Sequence, residues 1–327
     1  MTPIRLSTTL ALALAACAAL PGIAAAQTKL KFAHVYETSE PYHKWALWAA
    51  DEVKKRTAGR YEMQVFPASS LGKETDINQG LTLGTVDIIY TGQLFAARTH
   101  PPLAIGGAPF MFRDFSHWKA YVASPVYADL AEGYFKKGGN KPIAVTYYGV
   151  RHTTANKAIN RPEDMKGLKI RVPDAPLYTM FPRGVGANPT PIAFAEVYLA
   201  LQNRTVDAQE NPLPTIEAKK FYEVQSHINL TGHITEMLLT ILSGATWNKL
   251  SDADKKAFEA IFQEAGAKAT DEIAAAENKL VEEFVTKYKK TVVKTDRRPF
   301  QEALTKLHLG PDATWDKATY DKLQALK

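Results

Sequence analysis

Between residues 140 and 212, apolar and polar positions fall into short extended runs. In Leu168-Lys169-Ile170-Arg171-Val172-Pro173, the residues Leu168, Ile170 and Val172 share one face while Lys169 and Arg171 share the other, a period of two that predicts a strand. Pro173 has no N–H for a ladder and stops it. Pro142 to Gly149 is a β-branched and aromatic run closed by a glycine, with Arg151 just beyond. A third run, Thr205 to Glu210, leads to Asn211 and Pro212. Ligands of open α/β sheets bind beyond the carboxyl ends of the strands, which is where Arg151, Arg171 and Asn211 would stand.

Upstream, the period alternates between two and about 3.6. Thr28 to Tyr36 reads as a strand and Tyr42 to Thr57 as a helix ended by Gly59. Tyr61 to Phe66 is a second strand, Glu74 to Leu83 a helix closed by Gly84, and Val86 to Tyr90 a third strand. This β-α-β-α-β order predicts an α/β fold. A Pro-rich connector follows from Thr99 to Phe112, then a helix from Phe115 to Tyr134.

A weak echo links Leu81-Thr82-Leu83-Gly84-Thr85-Val86-Asp87 with the segment Leu199 to Asp207, each a helix end, a turn, and Thr-Val-Asp opening a strand. It suggests two lobes built alike. Ser251-Asp252-Ala253-Asp254 caps a long apolar series free of proline up to Lys290. A helix of that span would run about 55 to 60 Å, enough to lie along both lobes. The tail from Arg298 to Lys327 is expected to form one or two small helices.

The first residues read as a secretory signal: Arg5, an apolar run from Leu10 to Leu20, a Pro21-Gly22 break and Ala24-Ala25-Ala26 at the cleavage site. Lipid attachment at Cys17 is the alternative processing. Cys17 is the only cysteine. The chain after cleavage therefore has neither a disulfide nor a cysteine nucleophile nor a thiolate metal site. Loss of Arg5 takes the formal charge from +6 to +5. Lysine and arginine are interspersed with acids and form no basic block, which argues against nucleic acid as a partner.

Gly-x-Ser-x-Gly, His-Glu-x-x-His, a phosphate loop and Gly-x-Gly-x-x-Gly are all absent from the sequence, and its histidines show no metal-ligand spacing. No cofactor is expected. An acid and base brought together from distant residues would still allow a secreted enzyme acting on a carboxylate. Arginine's parallel N–H donors match the two oxygens of a carboxylate and stay charged when desolvated.

The runs Gly149-Val150-Arg151-His152-Thr153-Thr154-Ala155-Asn156, Asp164 to Pro173, Pro189 to Gln202 and Val206 to Leu213 closely resemble the periplasmic substrate-binding proteins of tripartite ATP-independent periplasmic (TRAP) transporters, most of all their sialic-acid receptor branch. The resemblance spans nearly the whole mature chain. It implies a two-lobe α/β binding protein with a hinge and a long helix across both lobes. Lobe I would be 27–148 plus 237–276, and lobe II 149–236 plus 277–327, after a 1–26 signal peptide. It implies that Arg171 forms the main salt bridge to a ligand carboxylate, with Arg151 and Asn211 as further partners, Phe194 packing on the ligand and Glu74 as a polar wall. Tyr90 and Tyr36 are pocket walls or core residues. Where the sialic-acid receptors carry an asparagine and a glutamate, this chain has Val35 and Gly92, so a smaller or less polar acid is expected. The expected partners are an organic acid and the membrane permease of a TRAP transporter, and the expected state is a periplasmic monomer. A sensor that delivers its ligand to a signalling receptor would share the fold.

Overall fold

The computed structural model describes residues 27–327, and the expected signal segment with Cys17 lies outside the described residues. Strands β1 (Thr28–Ala33), β2 (Tyr61–Phe66), β3 (Ile88–Gly92), β4 (Lys141–Ala155), β5 (Lys169–Val172), β6 (Asn188–Pro191), β7 (Ala208–Pro212), β8 (His227–Leu242) and β9 (Thr291–Val293) form one nine-stranded sheet with helices packed on it. The order is β2-β1-β3-β8-β4-β7-β5-β6, and β9 pairs with the start of β8.

The sheet consists of two similar halves joined by two long strands. In one half β1 lies between β2 and β3 and is parallel to both; in the other β5 lies between β6 and β7 in the same way. β4 and β8 run antiparallel to each other through both halves. The end of β8 pairs with β3, and the end of β4 pairs with β7.

The sequence echo is a structural repeat. Asp87 N–H donates to Lys31 O at 3.1 Å while Asp87 Oδ2 accepts from Lys31 N at 2.8 Å. Asp207 makes the same pair with Lys169, at 2.8 and 3.0 Å. Before each aspartate the chain reverses through a left-handed residue, Gly84 (φ 72°) in one half and Arg204 (φ 58°) in the other. Glycine adopts that conformation freely, whereas arginine must be held there by the surrounding turn.

One helix, Asp252–Thr286, ties the halves together; its 35 residues reach about 52 Å at 1.5 Å each. It stops four residues short of the expected Lys290. Phe258, Ile261 and Phe262 on it pack with Phe32 and Ile88 in the larger core, while Leu280 and Phe284 join Val197, Leu201 and Ile228 in another. Each fully buried phenylalanine is worth about 1.5–3 kcal/mol of transfer free energy. Gly266 lets the helix close on β4, since a Cβ there would stand 2.7 Å from Val145 O. Farther along, Glu277 accepts from Tyr147 Oη at 2.8 Å and Val150 N at 2.7 Å.

Two local expectations need correction. β4 does not end at Gly149 but passes through it to Ala155, with a register shift between Tyr147 and Gly149. Gly149 has φ 120°, so this glycine marks a bulge inside the strand. The expected helix Phe115 to Tyr134 is two helices, Phe115–Val122 and Pro125–Gly138. Pro125 lacks an N–H and opens the second, which Ser124 caps by accepting from Tyr127 N at 3.4 Å.

Candidate functional site

β4, β5 and β7 bring Arg151, Arg171 and Asn211 to the wall of one small cavity between the halves, about 20 Å³ in volume. Val35, Tyr36, Glu74 and Gly92 face them from the first half, and Tyr148, Tyr178, Phe194 and Glu236 complete most of the wall.

The two arginines differ in how they are held. Arg151 directs all three of its nitrogens to protein acceptors: Nε to Glu210 Oε2, Nη2 to Glu210 Oε1 and O (both 2.7 Å), and Nη1 to Glu236 Oε2 (2.6 Å). All three side chains are buried. Burial alone would raise the Glu210 carboxyl, but Arg151 and a hydrogen bond from His233 Nε2 at 3.1 Å bring it down to about 2. His233 is fixed in turn by Thr231 Oγ1 at 2.9 Å and by stacking on Phe181 with centroids 3.7 Å apart. Burial holds the Glu236 carboxyl above its usual range even beside Arg151. Arg151 thus serves first as the counter-charge of two buried carboxylates.

Arg171 points off β5 by the alternation seen in the sequence. Its Nε and Nη2 both donate to Ile192 O, at 2.9 and 2.7 Å, and its Nη1 is buried with no acceptor among the described residues. Burial lowers its pKa to about 10, so it remains charged at neutral pH. Phe194 sits on its guanidinium, with 5.9 Å from Cζ to the ring centroid. A buried cation with an unused donor is an acceptor-binding group held ready. Asn211 lies beside it with Nδ2 bonded to Gln209 Oε1 at 2.6 Å and Oδ1 accepting from Tyr148 Oη and Arg151 Nη2, both at 3.3 Å.

The opposite wall is acidic and aromatic. Glu74 Oε1 accepts from Gly92 N at 2.7 Å and Thr91 Oγ1 at 2.9 Å, and burial still raises the carboxyl to about 7. Tyr178 donates its hydroxyl to Glu236 Oε1. Tyr36, Tyr42 and Tyr148 form a cluster with centroids 4.9 to 5.3 Å apart.

Of the residues expected at the site, all but Tyr90 line this cavity. Tyr90 shares a face with Gly92 but lies two residues earlier on β3, about 7 Å deeper. There it packs against Phe32 at 4.7 Å and belongs to the core. Val35 and Gly92 both line the cavity. Sequence reasoning missed Glu210, Glu236, Tyr148 and Tyr178. The signal for Glu236 was a lone acid in the apolar run Ile234 to Leu242. Glu210 adjoins Asn211, whereas nothing in the sequence marked the two tyrosines.

Known proteins give this geometry a context. The model of the family "Bacterial extracellular solute-binding protein, family 7" matches residues 32–310. The sialic acid-binding periplasmic protein SiaP of Vibrio cholerae is 34% identical over 301 residues, 92% of this chain and 94% of that protein. Among solved structures, a TRAP periplasmic solute-binding protein from Polaromonas sp. JS666 bound to D-erythronate superposes with a TM-score of 0.84 at 35% identity, covering 92% of this chain and 99% of that one. One from Sulfurospirillum deleyianum with bound succinate gives a TM-score of 0.85 at 27% identity, with 92% and 99% covered. These structures are two-lobed receptors, and the present chain has the same fold. The chain belongs to the bacterial extracellular solute-binding proteins of family 7, the DctP family of TRAP solute receptors.

Proposed function

We propose that this protein is a periplasmic receptor that closes on an organic acid between its two lobes and delivers it to the permease of a TRAP transporter. The observation that carries the site assignment is Arg171, buried, charged and left with one unused donor at the cavity wall. Arg171 takes the carboxylate, and Asn211 adds a second contact through its remaining Nδ2 hydrogen. Arg151 holds the wall in place through Glu210 and Glu236 and reaches the acid at most through a hydrogen that these leave free. Phe194 and Tyr36 pack on the ligand, and Glu74 is the polar wall. The relatives with bound erythronate and succinate support a carboxylate as the ligand class. Val35 and Gly92 in place of polar side chains favour an acid smaller or less polar than sialic acid.

A cavity of about 20 Å³ has room for roughly one water, so entry of an acid requires the lobes to part. The proposed division is 27–148 plus 237–276 against 149–236 plus 277–327, hinged where β4 and β8 shift register. Contacts that opening would break include Thr215 Oγ1 to Glu40 Oε1 and Lys219 Nζ to Glu37 Oε1, both 2.7 Å. Ligand contacts with both lobes then favour the closed population. Residues 1–26 act as the export signal, and the mature protein works as a monomer without chemistry on its ligand.

A thermal-shift screen of the chain from Gln27 onward against organic acids tests this reading. An acid at 100 times its dissociation constant adds about 2.7 kcal/mol to stability. Recovery of the unchanged acid after denaturation separates a receptor from an enzyme, and no shift with any acid would contradict the proposal.

A further inference from the structure

We infer that the site accepts a monocarboxylate bearing hydroxyl groups and rejects dicarboxylates; this rests on the receptor reading above. Arg151 and Arg171 are the cations lining the cavity, and Arg151 already balances Glu210 and Glu236. Among the described residues that line the cavity, the Nη1 of Arg171 is the cationic nitrogen without a protein partner. A second carboxylate on the ligand would therefore have no cation to meet.

It would meet an acidic wall instead. Glu74 and Glu236 both line the cavity, and among the described residues Glu74 makes no salt bridge. Gly92 marks where they converge: a Cβ added there would stand 2.9 Å from Tyr178 Oη, 3.4 Å from Glu236 Oε1 and 3.7 Å from Glu74 Oε1. Tyr178 Oη and Glu236 Oε1 keep acceptor capacity beyond the bond between them, which suits the O–H donors of a hydroxy acid, while Glu74 Oε1 already accepts from Thr91 and Gly92. Above pH 7, where Glu74 is ionised, a carboxylate at that wall is opposed by like charge in a site with little water to screen it, so the titrations are run at pH 8. Glu74 is thus a specificity-determining residue, and its two bonds from Thr91 and Gly92 hold it on the wall.

The test is titration calorimetry with sets of acids matched at four, five and six carbons, each set holding an aldonate, the unsubstituted monoacid and the dicarboxylate. The four-carbon set is D-erythronate, butanoate and succinate. In the set that binds tightest, the aldonate is expected to exceed both companions by at least about tenfold. Glu74→Gln keeps an acceptor for Gly92 N, and it is expected to raise dicarboxylate affinity relative to the aldonate by about tenfold. A dicarboxylate or plain monoacid binding as tightly as its aldonate, or no aldonate binding, would overturn the inference. An unchanged ratio in Glu74→Gln would overturn the role of that residue. If another carboxylate still binds in an Arg171-dependent way, only this inference fails; if none binds, the receptor reading fails with it.

Discussion

Arg171 rests on the carbonyl of Ile192 through Nε at 2.9 Å and Nη2 at 2.7 Å, and this hold leaves its Nη1 buried without an acceptor among the described residues. The backbone fixes the guanidinium plane while one edge stays available. Some 20 residues away in sequence, Arg151 has the opposite arrangement, with carboxylates on every side. Two arginines that look equivalent in the sequence therefore have separate tasks.

That contrast should appear in stability. Arg151→Ala leaves Glu210 and Glu236 buried without their counter-charge, a loss of about 3–5 kcal/mol. Arg171→Ala removes a cation that the fold only partly satisfies, so a change of about 1 kcal/mol or less is expected. Urea unfolding of both variants measures the difference; equal losses would show that Arg171 is as structural as Arg151.

Glu40 gives a pH dependence with a definite sign. Burial raises its carboxyl to about 7, against the hydrogen bonds from Thr215 and Glu37 N that favour the ionised form. Between pH 4.5 and 7 the folded state holds the proton more tightly than the unfolded chain, so this group's contribution falls as pH rises through that window. Glu40→Gln removes the titration and keeps an acceptor for Glu37 N. The stability of the variant relative to wild type should therefore rise with pH from 4.5 to 7 and level off above. A flat difference across that range would show that Glu40 ionises normally.

Asp87 and Asp207 test the repeat. Each closes the start of a strand by accepting from the lysine amide of its neighbour, at 2.8 and 3.0 Å. Asp87→Ala and Asp207→Ala should each cost about 1–2 kcal/mol, and because the sites lie in different halves the double variant should cost the sum. Asp87 also accepts from Thr246 Oγ1 at 2.5 Å, so its loss should be the larger. Strong non-additivity in urea unfolding would mean that the two halves do not behave as separate units.

Much of this architecture was legible because local rules carried it. The alternation around Arg171 set its face and Pro173 ended its strand, as the observed β5 shows. The Thr-Val-Asp echo marked a repeat because the aspartate bonds close to home, to the adjoining strand. The long helix was readable from its cap and its unbroken apolar series. What stayed hidden depends on contacts between distant segments. Glu236 reaches Arg151 across 85 residues and Glu210 across 59, so no spacing rule joins the three. Tyr90 reads from the sequence as either a pocket wall or a core residue, and side-chain depth, set by the packing of Phe32 against it, puts it in the core. At Gly149 the sequence reads as a stop, whereas the partner strand β8 continues the ladder past the bulge.

The most direct measurement is titration calorimetry of one acid, taken from the thermal-shift screen, into wild type and Arg171→Ala at the same pH and salt. Loss of a charge-assisted donor at a buried site should weaken binding by at least about tenfold, with the variant still folded by circular dichroism. Equal affinities in the two proteins would remove Arg171 from the carboxylate site and contradict the assignment on which the account rests.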